Sequence, residues 1–139
     1  MIEYAVRSHL LADPTVVAII GGRMTPPPIP EKSELPCLTY TLAAIAEDHQ
    51  EGDEDALEMA RLQIDCWATS HRLARQLAQA VRRALPRTTG PMGTGANRME
   101  EVSVVPVNNG THFYEPDTKR HRVLMEFRLW YPVRFGGGA

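Results

Sequence analysis

Residues 61–85, RLQIDCWATSHRLARQLAQAVRRAL, change from a strand-like to a helix-like pattern with no turn sequence between the two. In the first part polar and apolar side chains alternate, which predicts a strand with one buried face. From a capping Ser70, or Thr69, onwards, apolar residues recur at helical spacing until Pro86 ends the predicted helix. Both elements must bury their apolar sides, so this run predicts a helix that lies across a sheet.

The rest of the chain continues the same architecture. Its 139 residues suit one domain with one core, because single domains commonly contain about 100–150 residues. Apolar periodicity predicts helices over residues 2–12 and 14–20, and strands over residues 37–46, 57–68, 98–107 and 119–133. The fold class predicted is therefore α+β: a mainly antiparallel sheet of about four strands with helices packed on it. We expect a single domain over residues 1–133 and a flexible C-terminal tail over residues 134–139.

Three local features refine this prediction. Pro106 cannot donate a ladder hydrogen bond, which predicts that the strand over residues 98–107 lies at an edge or carries a bulge. The Gly-, Pro- and Asn-containing stretches 87–97 and 108–118 are predicted to be loops. The alternation over residues 119–133 is the longest in the chain, so we expect that strand to be central and half buried.

Composition excludes some classes of protein. The longest apolar run, residues 16–20, is far shorter than the roughly 20 residues that span a bilayer, and no signal peptide pattern is visible. Cys37 and Cys66 lack a CxxC spacing, which favours buried, reduced thiols in a cytoplasmic protein. The formal net charge of −2 disfavours a dedicated nucleic-acid binder.

No catalytic, metal or cofactor motif stands out. The five histidines, His9, His49, His71, His112 and His121, are scattered along the chain. Ser70 and His71 are adjacent, but at a helix start these residue types are typical of capping rather than of a nucleophile and its base. The glycines of residues 90–95 neither follow a strand nor open a helix, so a phosphate-binding loop is not supported. We therefore predict that the chain is not an enzyme and binds no cofactor.

Acidic residues are concentrated in one segment, residues 47–58, which contains seven of the 17 carboxylates and no Lys or Arg. They are Glu47, Asp48, Glu51, Asp53, Glu54, Asp55 and Glu58. The spacing of an EF-hand loop is missing, which disfavours a calcium site. The segment is typical of a solvated loop, and a surface that meets a partner or repels nucleic acid is the functional alternative.

Four segments together resemble the tail terminator, or tail completion, proteins of long-tailed bacteriophages and gene transfer agents. They are LLADPTVVAIIGGRM, LPCLTYTLA, the run over residues 61–85 and HRVLMEFRLWY, and they extend from about residue 10 to residue 133. The resemblance implies a virion protein that forms a ring, commonly of six subunits, at the head–tail junction. It implies no reaction, metal or cofactor. Such a ring caps the head-proximal end of the tail tube, ends tube polymerisation and provides the docking surface for the head connector.

The resemblance also implies partners. These are other copies of the chain, the tail tube protein and a head completion or connector protein, with assembly in the host cytoplasm and no membrane. DNA would pass through the ring lumen without specific binding. Candidate subunit-interface residues are Leu124, Trp130, Arg72 and Arg75, and aromatic residues are enriched at interfaces. Trp67 is a further candidate, and the alternative for the two tryptophans and Leu124 is a second core layer beneath the helices. We expect the acidic segment to face the lumen or a partner.

Three alternatives stay open. The first is another ring of the head–tail junction, such as a head completion or stopper protein. The second is a small nucleic-acid-binding module that contacts phosphates through Arg72, Arg75, Arg82 and Arg83. The third, a small enzyme, would need the fold to gather His9, His71 or His121 with carboxylates in a pocket.

Overall fold

The computed structural model describes residues 1–29, 32–48 and 57–132 of the chain. These residues form three α-helices, seven strands and a short 3-10 turn over Gly95–Asn97. The helices are α1 (Ile2–Leu11), α2 (Pro14–Ile20) and α3 (His71–Ala84). The strands are β1 (Met24–Thr25), β2 (Cys37–Asp48), β3 (Leu57–Ala68), β4 (Thr88–Met92), β5 (Met99–Pro106), β6 (Thr111–Glu115) and β7 (Arg120–Pro132).

All seven strands belong to one sheet, in the order β1-β2-β3-β7-β5-β4, with β6 paired to β7 beside β5. Every pairing is antiparallel except that of β1 with β2. Strand β7 is central: one of its edges pairs with β3 along the whole length of β3. Its other edge is shared, because β6 pairs with residues 120–124 and β5 with residues 127–130.

The helices pack on one face of this sheet and bury it. Even-numbered apolar residues of β3 and odd-numbered apolar residues of β7 point to that face, as Leu62, Ile64, Met125 and Phe127 illustrate. Helices α1, α2 and α3 contribute their apolar stripes to the same cluster, which includes the fully buried Leu77. Because burial of each such side chain contributes about 1.5–3 kcal/mol, this layer fixes the positions of the helices.

Local capping explains where α2 and α3 begin. The Asp13 carboxylate accepts hydrogen bonds from the backbone N–H groups of Thr15 and Val16, each at 3.0 Å. The Ser70 hydroxyl accepts one from the N–H of Leu73 at 3.1 Å, as the sequence predicts. These side chains satisfy N–H groups that have no partner within a helix, so two short polar residues set both helix starts.

The sheet has seven strands, not about four, so that part of the prediction is wrong. Strand β1 is a two-residue addition, while β4 and β6 lie in stretches predicted to be loops. Pro106 does not put its strand at an edge, because β5 lies between β7 and β4. The predicted alternative, a bulge, has a counterpart in the β4–β5 pairing, whose register shifts between Gly90 and Met92. Pro106 itself ends β5, two residues beyond Val104, which forms the last pair with β4. The missing N–H therefore costs no bond to β4.

Two predictions fall outside the described residues wholly or in part. The predicted flexible tail, residues 134–139, lies outside them. So do Glu51, Asp53, Glu54 and Asp55 of the acidic segment. Of the remaining acids, Glu47 and Asp48 end the backbone of β2, and Glu58 is a half-buried residue at the start of β3. None of the described helices is long and apolar enough to cross a membrane.

Candidate functional site

The sheet surface that points away from the helices, here called the far face, is formed by odd-numbered residues of β3 and even-numbered residues of β7. Register places Trp67, Arg122 and Phe113 side by side across three strands of this face. The Arg122 guanidinium lies 5.5 Å from the centroid of the Trp67 ring and 4.8 Å from that of the Phe113 ring. This cation–π arrangement holds β6 and β3 together across β7.

Trp67 is part of the subunit interior rather than an exposed contact. Its side chain is only 8% exposed, and its indole Nε1–H donates a hydrogen bond to the Thr39 hydroxyl at 3.0 Å. The sequence is consistent with two interpretations of this residue, a subunit contact or a core residue beneath the helices. The structure buries Trp67, but on the far face and under side chains of neighbouring strands.

A carboxylate is buried next to this tryptophan. Asp65 is 5% exposed and accepts a hydrogen bond from the Gln63 amide at 3.0 Å, while Arg122 Nε lies 3.9 Å from its second oxygen, Oδ1. Desolvation raises the pKa of Asp65, and the Gln63 hydrogen bond and the charge of Arg122 oppose that rise. Removal from water therefore outweighs the attraction of the partners, and ionised Asp65 destabilises the fold.

Replacing Asp65 with Asn is expected to raise the unfolding temperature at pH 7. The folded-state pKa of Asp65 lies above its unfolded value. The loss of folding stability caused by the ionised carboxylate is therefore absent below the unfolded pKa and grows as pH rises through the folded pKa. The gain from Asp65→Asn should therefore disappear near pH 3. Thermal unfolding at both pH values measures the change in unfolding temperature, and the exposed Glu101→Gln variant is the control. An equal effect at both pH values would contradict this explanation.

An apolar patch occupies the end of the far face nearest the acidic segment. It consists of Leu57, Met59, Trp130 and Pro132, in which Leu57 is paired with Pro132 and Met59 with Trp130. Leu57 is 41% exposed and the other three are half-buried. Leu124 lies on the same face, six residues from Trp130 along β7, and is also half-buried. Two of the predicted interface residues therefore lie on the far face.

The other two predicted interface residues lie on the opposite side of the subunit. Arg72 and Arg75 are exposed on α3, whose apolar stripe is turned towards the sheet. With Arg82, Arg83 and Arg87 they form a basic row, here called the arginine face, along the outside of α3 and just past its end. The predicted interface residues thus mark two unlike surfaces rather than one.

The fold gathers three histidines that are far apart in sequence. The ring centroid of His112 lies 4.5 Å from that of His71 and 5.1 Å from that of His121. His112 Nε2 and His121 Nδ1 are 2.9 Å apart and share a hydrogen bond. Desolvation, followed by the charges of His71, His121 and Arg75, lowers the pKa of His112. The charged groups that lower this pKa are all basic ones of the described residues, whereas a catalytic histidine commonly has a carboxylate partner.

Metal and thiol chemistry have no assembled site in the part of the chain that the structure describes. No group of three or more His, Cys, Asp or Glu residues there could hold a metal ion. Cys37 and Cys66 are both buried free thiols. Burial raises the pKa of Cys37 to about 11 and that of Cys66 well above its usual value, which keeps both protonated and unreactive.

Comparison with known proteins places this chain in a family. The family described as "Tail completion protein gp17" matches residues 4–132. The chain belongs to this family. The family is one of structural virion proteins, so the chain is a tail protein of the phage type and not a member of an enzyme class. A search of curated proteins gives no significant match.

Solved structures show the same fold in a virion. Eighteen chains match significantly, among them a chain from the structure described as "Virion of native gene transfer agent (GTA) particle". That chain has a TM-score of 0.68 and 17% sequence identity, and the match covers 92% of each chain. The two chains therefore share a fold although their sequences differ at most positions.

Proposed function

We propose that this member of the tail completion family forms a ring that caps the head-proximal end of the tail tube. The ring would end polymerisation of the tube protein and present a docking surface to the head connector. Family membership over residues 4–132 is the observation that carries the proposal. The head–tail junction of the virion is the location that this function requires, and six subunits is the number that the resemblance suggests.

The distribution of surfaces on the subunit supports a ring. Closed rings use heterologous contacts, in which one patch of a subunit meets a different patch of the next. The far-face apolar patch and the arginine face differ in chemistry and lie on opposite sides of the subunit. A subunit with two unlike surfaces on opposite sides can contact one neighbour through each.

The acidic segment has two possible positions in such a ring. It can face the lumen, where like charge would keep DNA from adhering as it passes, or it can face a neighbouring protein. In either position DNA would pass through the ring lumen without specific binding. Leu124, Trp130, Arg72 and Arg75 are proposed contacts between subunits.

Adding the purified protein to polymerising tail tube protein tests the proposed function. We expect tubes to stop growing at a length set by the time of addition, because the ring covers the end to which the next tube subunit would add. Electron microscopy of tube lengths, with and without the protein, measures this. A head completion protein would leave tube growth unchanged, so continued elongation at saturating protein would overturn the proposal.

A further inference from the structure

We propose that the arginine face of α3 is the docking surface for the acidic segment, residues 47–58, of a neighbouring copy of the chain. This inference rests on the ring proposed above and names one of its contacts. The arginine face consists of Arg72, Arg75, Arg82, Arg83 and Arg87. Its occupant would be a second subunit.

Charge is segregated along this chain into complementary blocks. Residues 47–58 carry seven carboxylates and no Lys or Arg, whereas residues 66–99 carry six Arg and no Asp or Glu. Blocks of like charge repel themselves and attract a block of the opposite sign. Since the chain has a formal net charge of only −2, each block finds its complement within the same kind of molecule.

The described residues leave much of the arginine face available for such a contact. Arg72, Arg75, Arg83 and Arg87 are exposed, and none of them forms an ion pair with a carboxylate of the described residues. Arg82 is held differently, because its guanidinium donates to the backbone carbonyl of Asn108 and to the side chain of Asn109. Four guanidinium groups therefore remain to receive carboxylates.

A cavity gives the arginine face a defined shape at the end of α3. It has a volume of about 530 Å³ and is lined by Gln79, Arg82, Arg83, Pro86, Arg87 and Pro106. None of these residues is acidic, and each guanidinium group can donate two parallel hydrogen bonds to one carboxylate. The cavity can take acidic side chains from outside without competition from an acid of its own lining.

Chain geometry favours a neighbouring copy over the same chain as the source of the acids at the start of α3, where Arg72 and Arg75 lie. The acidic segment enters β3 at Leu57, whereas α3 begins just after Ala68 at the far end of that strand. Eleven residues of extended strand separate these points by about 36 Å. The eight residues that join β2 to β3 are too few to bridge that distance and return. Arg72 and Arg75 are therefore beyond the reach of the same chain's segment.

A charge exchange between the two blocks tests this contact. Reversing Arg72, Arg75, Arg83 and Arg87 to Glu should weaken self-association by at least about tenfold, because each chain then presents acids to acids. Changing Glu51, Asp53, Glu54 and Asp55 to Lys should do the same. Mixing the two variants, or combining both sets of changes in one chain, should restore association. Sedimentation in solution and subunit cross-linking on tail tubes both measure the effect.

Two matched controls separate charge from folding. Replacing the same four arginines with Lys keeps every charge and should retain association at low salt. Thermal unfolding checks that each variant folds. We expect it to fold, because all four changed residues are exposed. If the fourfold Glu variant does not fold, Arg75→Glu with Arg83→Glu is the smaller test, again paired with Lys at both positions.

The outcomes distinguish this contact from the proposed function. If the fourfold Glu variant associates as the natural chain does, or if the charge exchange restores nothing, the docking proposal is wrong even where tube growth still stops. If the charge exchange restores association while the natural protein fails to stop tube growth, the docking proposal is supported and the proposed terminator function is wrong. Loss of salt-sensitive DNA binding in the Glu variant, without rescue by the exchange, would instead assign the arginine face to nucleic acid.

Discussion

Replacing Phe127 with Ala is expected to destabilise the fold by about 3–5 kcal/mol, the loss typical of a large aromatic side chain removed from a packed core. Phe127 is 1% exposed and lies on β7, where it pairs with Leu62 of β3 and Pro106 of β5. It therefore packs beneath the helices at the point where three strands meet. A small domain has about 5–15 kcal/mol of total stability, so this single change removes a large share of it.

Thermal unfolding measures this effect, and we expect a decrease of about 10–20 °C in the unfolding temperature. Phe127→Leu, which retains most of the buried volume, should lose well under half as much stability. Phe113→Ala is the matched exposed control, because Phe113 is 43% exposed on β6 and contributes mainly its contact with Arg122. A loss no larger than that of Phe113→Ala would show that β7 is not the centre of the core.

The elements that could be predicted from sequence are those in which the apolar periodicity and the capping residues indicate the same helix or strand. Strand β3, helix α3 and strand β7 combine a long regular pattern with one buried face, and the structure places all three as expected. Helix α2 has only seven residues, but Asp13 and Pro14 mark its start and Gly21 its end. In these cases local chemistry and tertiary packing favour the same structure.

The strands that could not be predicted depend on tertiary contacts. Strand β4 contains Gly90 and Pro91 and lacks alternation, and it forms because β5 offers a free edge. Strand β6 is mostly exposed, and the chain enters it through Gly110, whose φ of +97° favours glycine. A Cβ at Gly110 would lie 2.7 Å from Val123, so the close approach of the two strands also needs glycine. Neither strand has a hydrophobic pattern of its own to reveal it.

The candidate surfaces were predictable only in part for the same reason. Arg72 and Arg75 could be placed on the outer side of α3, because the apolar stripe of that helix determines which side is buried. The three-histidine cluster could not be foreseen, since His112 reaches His71 and His121 only through the pairing of β6 with β7. The buried Asp65 was equally hidden, because alternation predicts an outward side chain but not the neighbours that cover it.

Replacing Trp130 with Ala is expected to prevent stable ring formation while leaving a folded subunit. Trp130 is half-buried within the far-face apolar patch, beside Met59 and Ser103 of the adjacent strands. Tryptophans in such positions are common anchors of protein interfaces, and their truncation typically costs about 2 kcal/mol or more. A loss of that size lowers the association constant at each contact by about thirtyfold. A ring loses it at every contact, so closure should fail.

Because Trp130 is half-buried within its own subunit, a second variant keeps this test independent of folding. Leu57→Ser changes the exposed member of the same patch and should weaken association with little change in the unfolding temperature. Val17→Ser, on α2 and away from the patch, is the control for loss of an exposed apolar side chain. Association is measured by sedimentation and by the fraction of capped tail tubes. Normal association of both Trp130→Ala and Leu57→Ser would remove the far-face apolar patch from the ring contacts, because no contact that buries these residues could tolerate both changes.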